Sequence, residues 1–319
     1  MRSVYLARTA RRKGLAVCFQ ARNQYTADIL VSLGETVIEI VPDDRQPGLI
    51  VIDAPTTTSV STVKDLQQRG LFVVLMDVLT EARAEADMVC DALMTPGRAE
   101  KLAHSDKTIY LYGLEYACLD AQFQQQHGMA IPMRNEAKLL IAFGGSDILK
   151  CNARFLDALN RQGFHGPAEI IAGMSATELN EISAIVATWR DTRIMSNVKD
   201  MALRMADADL VVTKLGMTQL EAFCVGRDCV VVEPTQAHVD LQQELNAAYS
   251  DWPVIQCGLV ADMAFEQAAK VTISCLSDGR QRQLRGARAS QLVDGKGAKR
   301  IIDAVMQATN SRAETERRW

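Results

Sequence analysis

Short β-branched runs alternate with helix-length segments along the whole chain, and no other feature restricts the possible folds so strongly. The first half offers "LAVCFQA", "TVIEIV", "GLIVIDA", "LFVVLMD", "DMVCDAL" and "TIYLYG". The second offers "KLLIAFGG", "AEIIAGM", "TRIMSN", "DLVVTK", "CVVVEP" and "PVIQCG". Runs that are apolar throughout, rather than at every second residue, belong to strands covered on both faces, and that is the habit of parallel sheets. Each intervening segment is long enough to supply the right-handed crossover helix. The fold class expected is α/β.

At 319 residues the chain is long enough for two such sheets, given about 150 residues per domain. Between the two sets of strands lies "AQFQQQHGMAIPMRNEA", polar, rich in Gln and holding Pro132. Such a stretch reads as a linker. The boundary is placed within residues 124–136, giving domains 1–127 and 128–319, two Rossmann-like domains in tandem.

Composition narrows the function classes. The net charge is −4, and no basic stripe interleaves with aromatic residues, so a nucleic-acid partner is not expected. No apolar run approaches the roughly 20 residues that span a bilayer, so stable membrane insertion is not expected. The basic N-terminus, with Arg2, Arg8, Arg11, Arg12 and Lys13, lacks the uninterrupted apolar core of a signal peptide and reads as a surface helix. The eight cysteines are scattered among apolar neighbours without a Cys-x-x-Cys pair. They read as reduced thiols of a cytoplasmic protein. His104, His127, His165 and His238 show no metal spacing, and neither a metal nor a cofactor is expected.

Two loops carry the chemistry. The strand "LLIAF" ends in Gly144-Gly145-Ser146-Asp147 before a helical stretch. Glycines there admit a ligand close to the backbone, and free N–H groups at a helix start favour an anion such as phosphate. A tight turn capped by Ser146 or Asp147 has the same appearance. The strand "DLVVT" turns through Lys214, Leu215, Gly216, Met217 and Thr218 into a helix holding Glu221. In a doubly wound sheet both loops lie beyond the carboxyl ends of the strands, where ligands bind. Glu221 there can accept hydrogen bonds from two sugar hydroxyls, or it can be a carboxylate answering the helix dipole. A third segment places His238, Gln242, Gln243 and Asn246 at one-turn spacings, amides that suit either a nucleobase or a solvated face.

Strand, Gly turn, helix with Glu, strand, Pro, then His-x-x-x-Gln-Gln-x-x-Asn-Ala is similar to the C-terminal domain of GT-B nucleotide-sugar enzymes, notably the UDP-N-acetylglucosamine transferase of peptidoglycan synthesis. The chain more closely resembles the UDP-sugar hydrolase of pseudaminic acid biosynthesis, which has that architecture. In the first half, "LIVIDAP", "LFVVLMD" and the Gly-x-x-Tyr-x-x-Leu-x-x-x-Phe series of "YLYGLEYACLDAQF" resemble that family too.

The resemblance implies diphosphate contacts at Gly144, Gly145, Ser146, Gly216, Met217 and Thr218 and ribose contact at Glu221, and Gln242 and Gln243 join them as expected nucleotide-binding residues. It implies a UDP-sugar as the small-molecule partner and hydrolysis of a UDP-linked amino sugar. Two departures stand out. Leu215-Gly216-Met217 replaces the family's Gly-Gly-Ser/Thr. The family's first strand and Gly-His-x-x-Arg loop, whose histidine activates water, have no counterpart, since Met1-Arg2-Ser3 resembles the start of the helix after them. The N-terminal domain is therefore expected to lack its first strand and the enzyme its usual base. Asp53, Asp77 and Tyr116 are the remaining catalytic candidates, with strand-end caps as the plain alternative. A GT-B glycosyltransferase and a catalytically impaired nucleotide-sugar binder stand as alternatives to the hydrolase.

Overall fold

The uninterrupted apolar runs of the sequence are the ones that form ladders. A computed structural model describes residues 1–39, 48–54, 56–132, 134–144, 150–172, 176–260 and 264–316. The chain divides into two units, Met1–Asp120 with Lys296–Trp319, and Ala121–Gly295.

The first unit holds β1 (Leu49–Ile52), β2 (Phe72–Met76), β3 (Met88–Asp91) and β4 (Ile109–Tyr112), in that spatial order and parallel throughout. Every residue of β2 and β3 is buried, whereas all four of β1 are half-buried. Among the described residues β1 ladders with β2 alone. Where strands were expected at "LAVCFQA" and "TVIEIV", the described residues make one parallel bridge, Phe19 to Val37. The end of the second run lies outside the described residues. Half-buried Leu15, Val17 and Phe19 alternate with exposed Ala16, Cys18 and Gln20, so one face alone is covered. An isolated pair of strands is marginal without further partners.

The second unit holds β5 (Leu139–Ala142), β6 (Ala168–Ile171), β7 (Thr192–Met195), β8 (Leu210–Thr213), β9 (Asp228–Glu233) and β10 (Val254–Leu259). Their spatial order is β10-β9-β8-β5-β6-β7, all parallel. The first strand of the unit is thus central, with later strands added on one side and then on the other, the doubly wound order of a dinucleotide-type sheet. The core on one face of the sheet takes Leu139, Ile141, Leu210, Val212, Val230 and Val232 from the three adjacent strands β5, β8 and β9, packed against Phe155, Leu159 and Phe265.

The helix Gly297–Glu316 belongs to the first unit. It was placed with the second domain, but Ile301, Ile302 and Val305 are buried with Leu6 and Ala10 of the helix Arg2–Arg12 and with Phe72, Val74 and Met76 of β2. Gly297 makes this docking possible: a Cβ there would stand 2.2 Å from the Ala117 carbonyl oxygen. The amphipathic stripe is satisfied in the first unit, so the sequence order of domains is not their spatial composition. Among the described residues no helix is long and apolar enough to cross a membrane.

Candidate functional site

The chain leaves β5 toward β6 and leaves β8 toward β9, in opposite directions across the sheet, so a crevice opens beyond the carboxyl ends of these two neighbours. Both loops singled out in the sequence start there. Thr213, fully buried at the end of β8, donates its hydroxyl to the Ala142 carbonyl of β5 at 2.6 Å and ties the two strand ends together. Gly144 follows with φ 92°, and Gly216 with φ 143°, conformations that residues with a Cβ rarely adopt. Gly216 is also the N-cap of the helix Met217–Val225 and supplies no side-chain cap. Among the described residues no side chain caps the first N–H groups of that helix, which are the groups an acceptor can bond.

Lys214 adds a full positive charge. A Cβ built on Gly144 would lie 3.6 Å from Lys214 Cε and 3.7 Å from its Nζ, so the side chain runs across the glycine at the crevice. Among the described residues Nζ has no hydrogen-bond or ion-pair partner. A Cβ at 144 would meet this side chain at ordinary van der Waals distance.

Under the turn lies a buried polar network. Both carboxylate oxygens of Glu233, the last residue of β9, accept the Leu215 N–H at 3.1 Å. Gln242 Nε2 donates to Glu233 Oε1 at 2.9 Å and to Gln219 Oε1 at 2.8 Å, while Gln242 Oε1 accepts from Trp252 Nε1 at 2.9 Å. Glu233 is 2 % exposed, and Gln219 and Gln242 are fully buried. Burial pushes the Glu233 carboxyl above its usual range, against the opposing pull of Gln242, the Leu215 N–H and the charge of Lys214.

The helix Gln236–Ala248 begins beside this turn. In its first turn the Nδ1 of His238 sits 2.6 Å from Thr235 Oγ1. Burial, then the charge of Lys214, holds the imidazole below its usual value.

No family model matches the chain. It is 26 % identical over 233 residues to the uncharacterised protein MJ1062 of Methanocaldococcus jannaschii, an alignment that covers 70 % of this chain and spans 44 % of that longer relative. The solved structure of MurG from Acinetobacter baumannii superposes with a TM-score of 0.66 at 15 % identity, covering 96 % of this chain and 95 % of that one. A putative UDP-N-acetylglucosamine 2-epimerase from Listeria monocytogenes superposes with a TM-score of 0.65 at 11 % identity, covering 97 % and 93 %. The fold is GT-B.

Within this GT-B chain the expected nucleotide contacts divide. Gly144, Gly216, Met217 and Thr218 stand at the crevice between β5 and β8, whereas Gly145 and Ser146 lie outside the described residues. Glu221 is half-buried, one turn into the helix Met217–Val225. Gln242, expected to contact the nucleotide, lies at the centre of the buried network, with both ends of its amide engaged inside the unit. Gln243, exposed, projects about 100° further around the same helix. Sequence reasoning missed Lys214, Glu233 and Gln219 as site residues. Lys214 was visible as a cation inside the Gly turn, but nothing in the spacing links Glu233 to it.

The catalytic candidates of the first unit sit in different surroundings. Asp53 follows β1 and Asp77 follows β2, and both carboxylates meet the guanidinium of Arg2 at the N-terminus of the helix Arg2–Arg12. Arg2 Nε stands 3.1 and 3.2 Å from the Asp53 oxygens, and Nη1 bonds Asp77. Ser3 adds a hydroxyl to Asp53 at 2.5 Å. Burial draws the Asp53 carboxyl upward, but the Arg2 hydrogen bonds and charge, with Ser3, outweigh it and leave it below its usual value. That is the environment of a paired anion, not of a base tuned toward neutral pH. Tyr116 is apart from this trio in role: its ring packs on the apolar cluster of the unit. Asp91, the last residue of β3, was not expected; it is 6 % exposed, accepts the Leu93 N–H at 3.0 Å, and is raised by burial.

Proposed function

We propose that the chain binds a uridine-diphosphate amino sugar at the β5–β8 crevice of its second unit and transfers the sugar to water, releasing UDP. The observation that carries this reading is Lys214 lying across Gly144 beside a helix start capped by glycine alone. A diphosphate leaving group develops negative charge as the anomeric bond breaks, and fixed N–H groups plus an ammonium stabilise it where it forms. Glu221, one turn further along the helix, holds the ribose hydroxyls. The uridine part rests on the sequence resemblance and on solved neighbours of the same fold, one of them named as a UDP-N-acetylglucosamine 2-epimerase. Hydrolysis within pseudaminic-type or surface-glycan synthesis rests on the resemblance alone.

Calorimetry with UDP, UMP and uridine tests the site. Affinity falling in that order, with Lys214→Ala weakening UDP and sparing uridine, supports it; equal affinities remove the diphosphate from the crevice. Incubation with UDP-amino sugars, with UDP and sugar followed by chromatography, tests the reaction. UDP release in the absence of an acceptor supports hydrolysis, release only with a sugar or lipid acceptor makes the chain a transferase, and tight binding without turnover makes it a binder.

A further inference from the structure

The buried network beneath the Gly turn has a direction that its chemistry forces. Trp252 Nε1 can only donate, so the oxygen of the Gln242 amide must face it, and the Gln242 NH2 must then face Glu233 and Gln219. The Leu215 N–H is likewise only a donor. Glu233 thus receives donors from two elements and has nothing to give back. Oε1 receives both donors and Oε2 shares the Leu215 N–H, an arrangement that a carboxylate meets with no donor of its own turned toward the turn.

The placement of the turn matters because Leu215 lies between Lys214 and Gly216. Fixing one N–H in the middle of a three-residue turn fixes the direction of the ammonium on one side and of the helix cap on the other. A carboxylate so close to an anion site would repel the ligand if it faced the crevice. Here both oxygens point inward, to the Leu215 N–H and Gln242, and 2 % of the residue is exposed.

We infer that Glu233 is a positioning residue of the anion site: held by Gln242 and Trp252, its carboxylate grips the Leu215 N–H and aims Lys214 and the first N–H groups of the helix Met217–Val225 at a diphosphate. The inference rests on the diphosphate reading given above. It assigns no contact between Glu233 and the ligand.

Glu233→Gln tests it, because the substitution keeps shape and volume but turns an NH2 toward a donor, either Leu215 or Gln242. The readouts are amide hydrogen exchange of the peptide covering residues 213–217 in the ligand-free protein, and calorimetric affinities for UDP, uridine and inorganic pyrophosphate. Expected are exchange in that peptide faster by about tenfold or more, UDP and pyrophosphate affinities lower by about tenfold, and uridine changed by less than about twofold, the scale of a lost hydrogen bond to a charged group. Unchanged exchange in that peptide, or UDP and uridine weakened by one common factor, overturns the inference. If the wild-type protein binds pyrophosphate but not UDP, the nucleotide reading fails, and the pyrophosphate affinity of the variant still decides the role of Glu233. If it binds neither, both fall. Should Glu233→Gln not fold, Trp252→Phe releases the orientation of Gln242 from the far end and is read by the same measurements, with the same outcomes.

Discussion

The side chain of Lys214 lies across Gly144, its Nζ 3.7 Å from where a Cβ of residue 144 would stand. The pair joins the ends of β5 and β8 and places a cation where the sheet changes direction. Gly144→Ala strains a backbone at φ 92°, while its methyl meets the Lys214 side chain at ordinary contact distance. Stability is expected to fall by about 1 kcal/mol, read by denaturant unfolding. UDP affinity is expected to fall by less than in Lys214→Ala, because the ammonium stays in place, and calorimetry on the two variants checks it.

Glu221→Ala is expected to weaken UDP binding by about 1–3 kcal/mol, the scale of hydrogen bonds to a charged group. Calorimetry with UDP and with 2′,3′-dideoxy-UDP checks it. The variant should bind both nucleotides alike, and an unchanged UDP affinity would make Glu221 a helix-dipole partner alone.

His238 gives a pH signature. Its folded value lies below the ordinary 6.5, through burial and then Lys214, so between the two values the unfolded chain carries a proton that the folded chain does not. The unfolded state binds more protons there, and stability rises with pH through that window. His238→Gln removes this contribution. The melting temperature of the wild type should therefore drop more between about pH 7.5 and pH 5.5 than that of the variant. A bound diphosphate favours the charged imidazole, so UDP binding below neutrality should take up protons, which calorimetry in two buffers of different ionisation enthalpy measures.

Asp53 has the opposite linkage. Its folded value is depressed, so the stabilisation is present above the ordinary carboxylate value of about 3.9 and is lost as pH falls through the lower folded value. Asp53→Asn should flatten the acid limb of a stability-against-pH curve. Arg2→Met, which leaves Asp53 and Asp77 facing one another without their cation, should destabilise by about 1–2 kcal/mol at neutral pH and by less in acid.

Much of this architecture is legible in the residues. "FVVLM", "DLVVT" and "CVVVE" are apolar at consecutive positions, which only strands buried on both faces require, and the two Gly turns follow the strands that end at the crevice. What was not legible depends on distant partners. Adjacent Gln242 and Gln243 read alike, yet one is fixed inside by Trp252, Glu233 and Gln219 from other elements, and the other meets water. "LAVCFQA" has the composition of a strand but among the described residues makes a single bridge, because pairing is a property of the neighbour and not of the run. The stripe of Ile301, Ile302 and Val305 marks a buried helix face without saying which core receives it.

That helix gives the molecule an order of assembly during synthesis. Everything in Ala121–Gly295 leaves the ribosome before Gly297–Glu316 does, a delay of roughly ten to forty seconds at ordinary elongation rates. Through that interval the second unit is being made, while Leu6, Ala10, Val74 and Met76 wait without the apolar stripe that covers them. The part of the chain made first is the part finished last, and a nascent chain halted in the second unit leaves a greasy face exposed to chaperones and to its neighbours on the polysome.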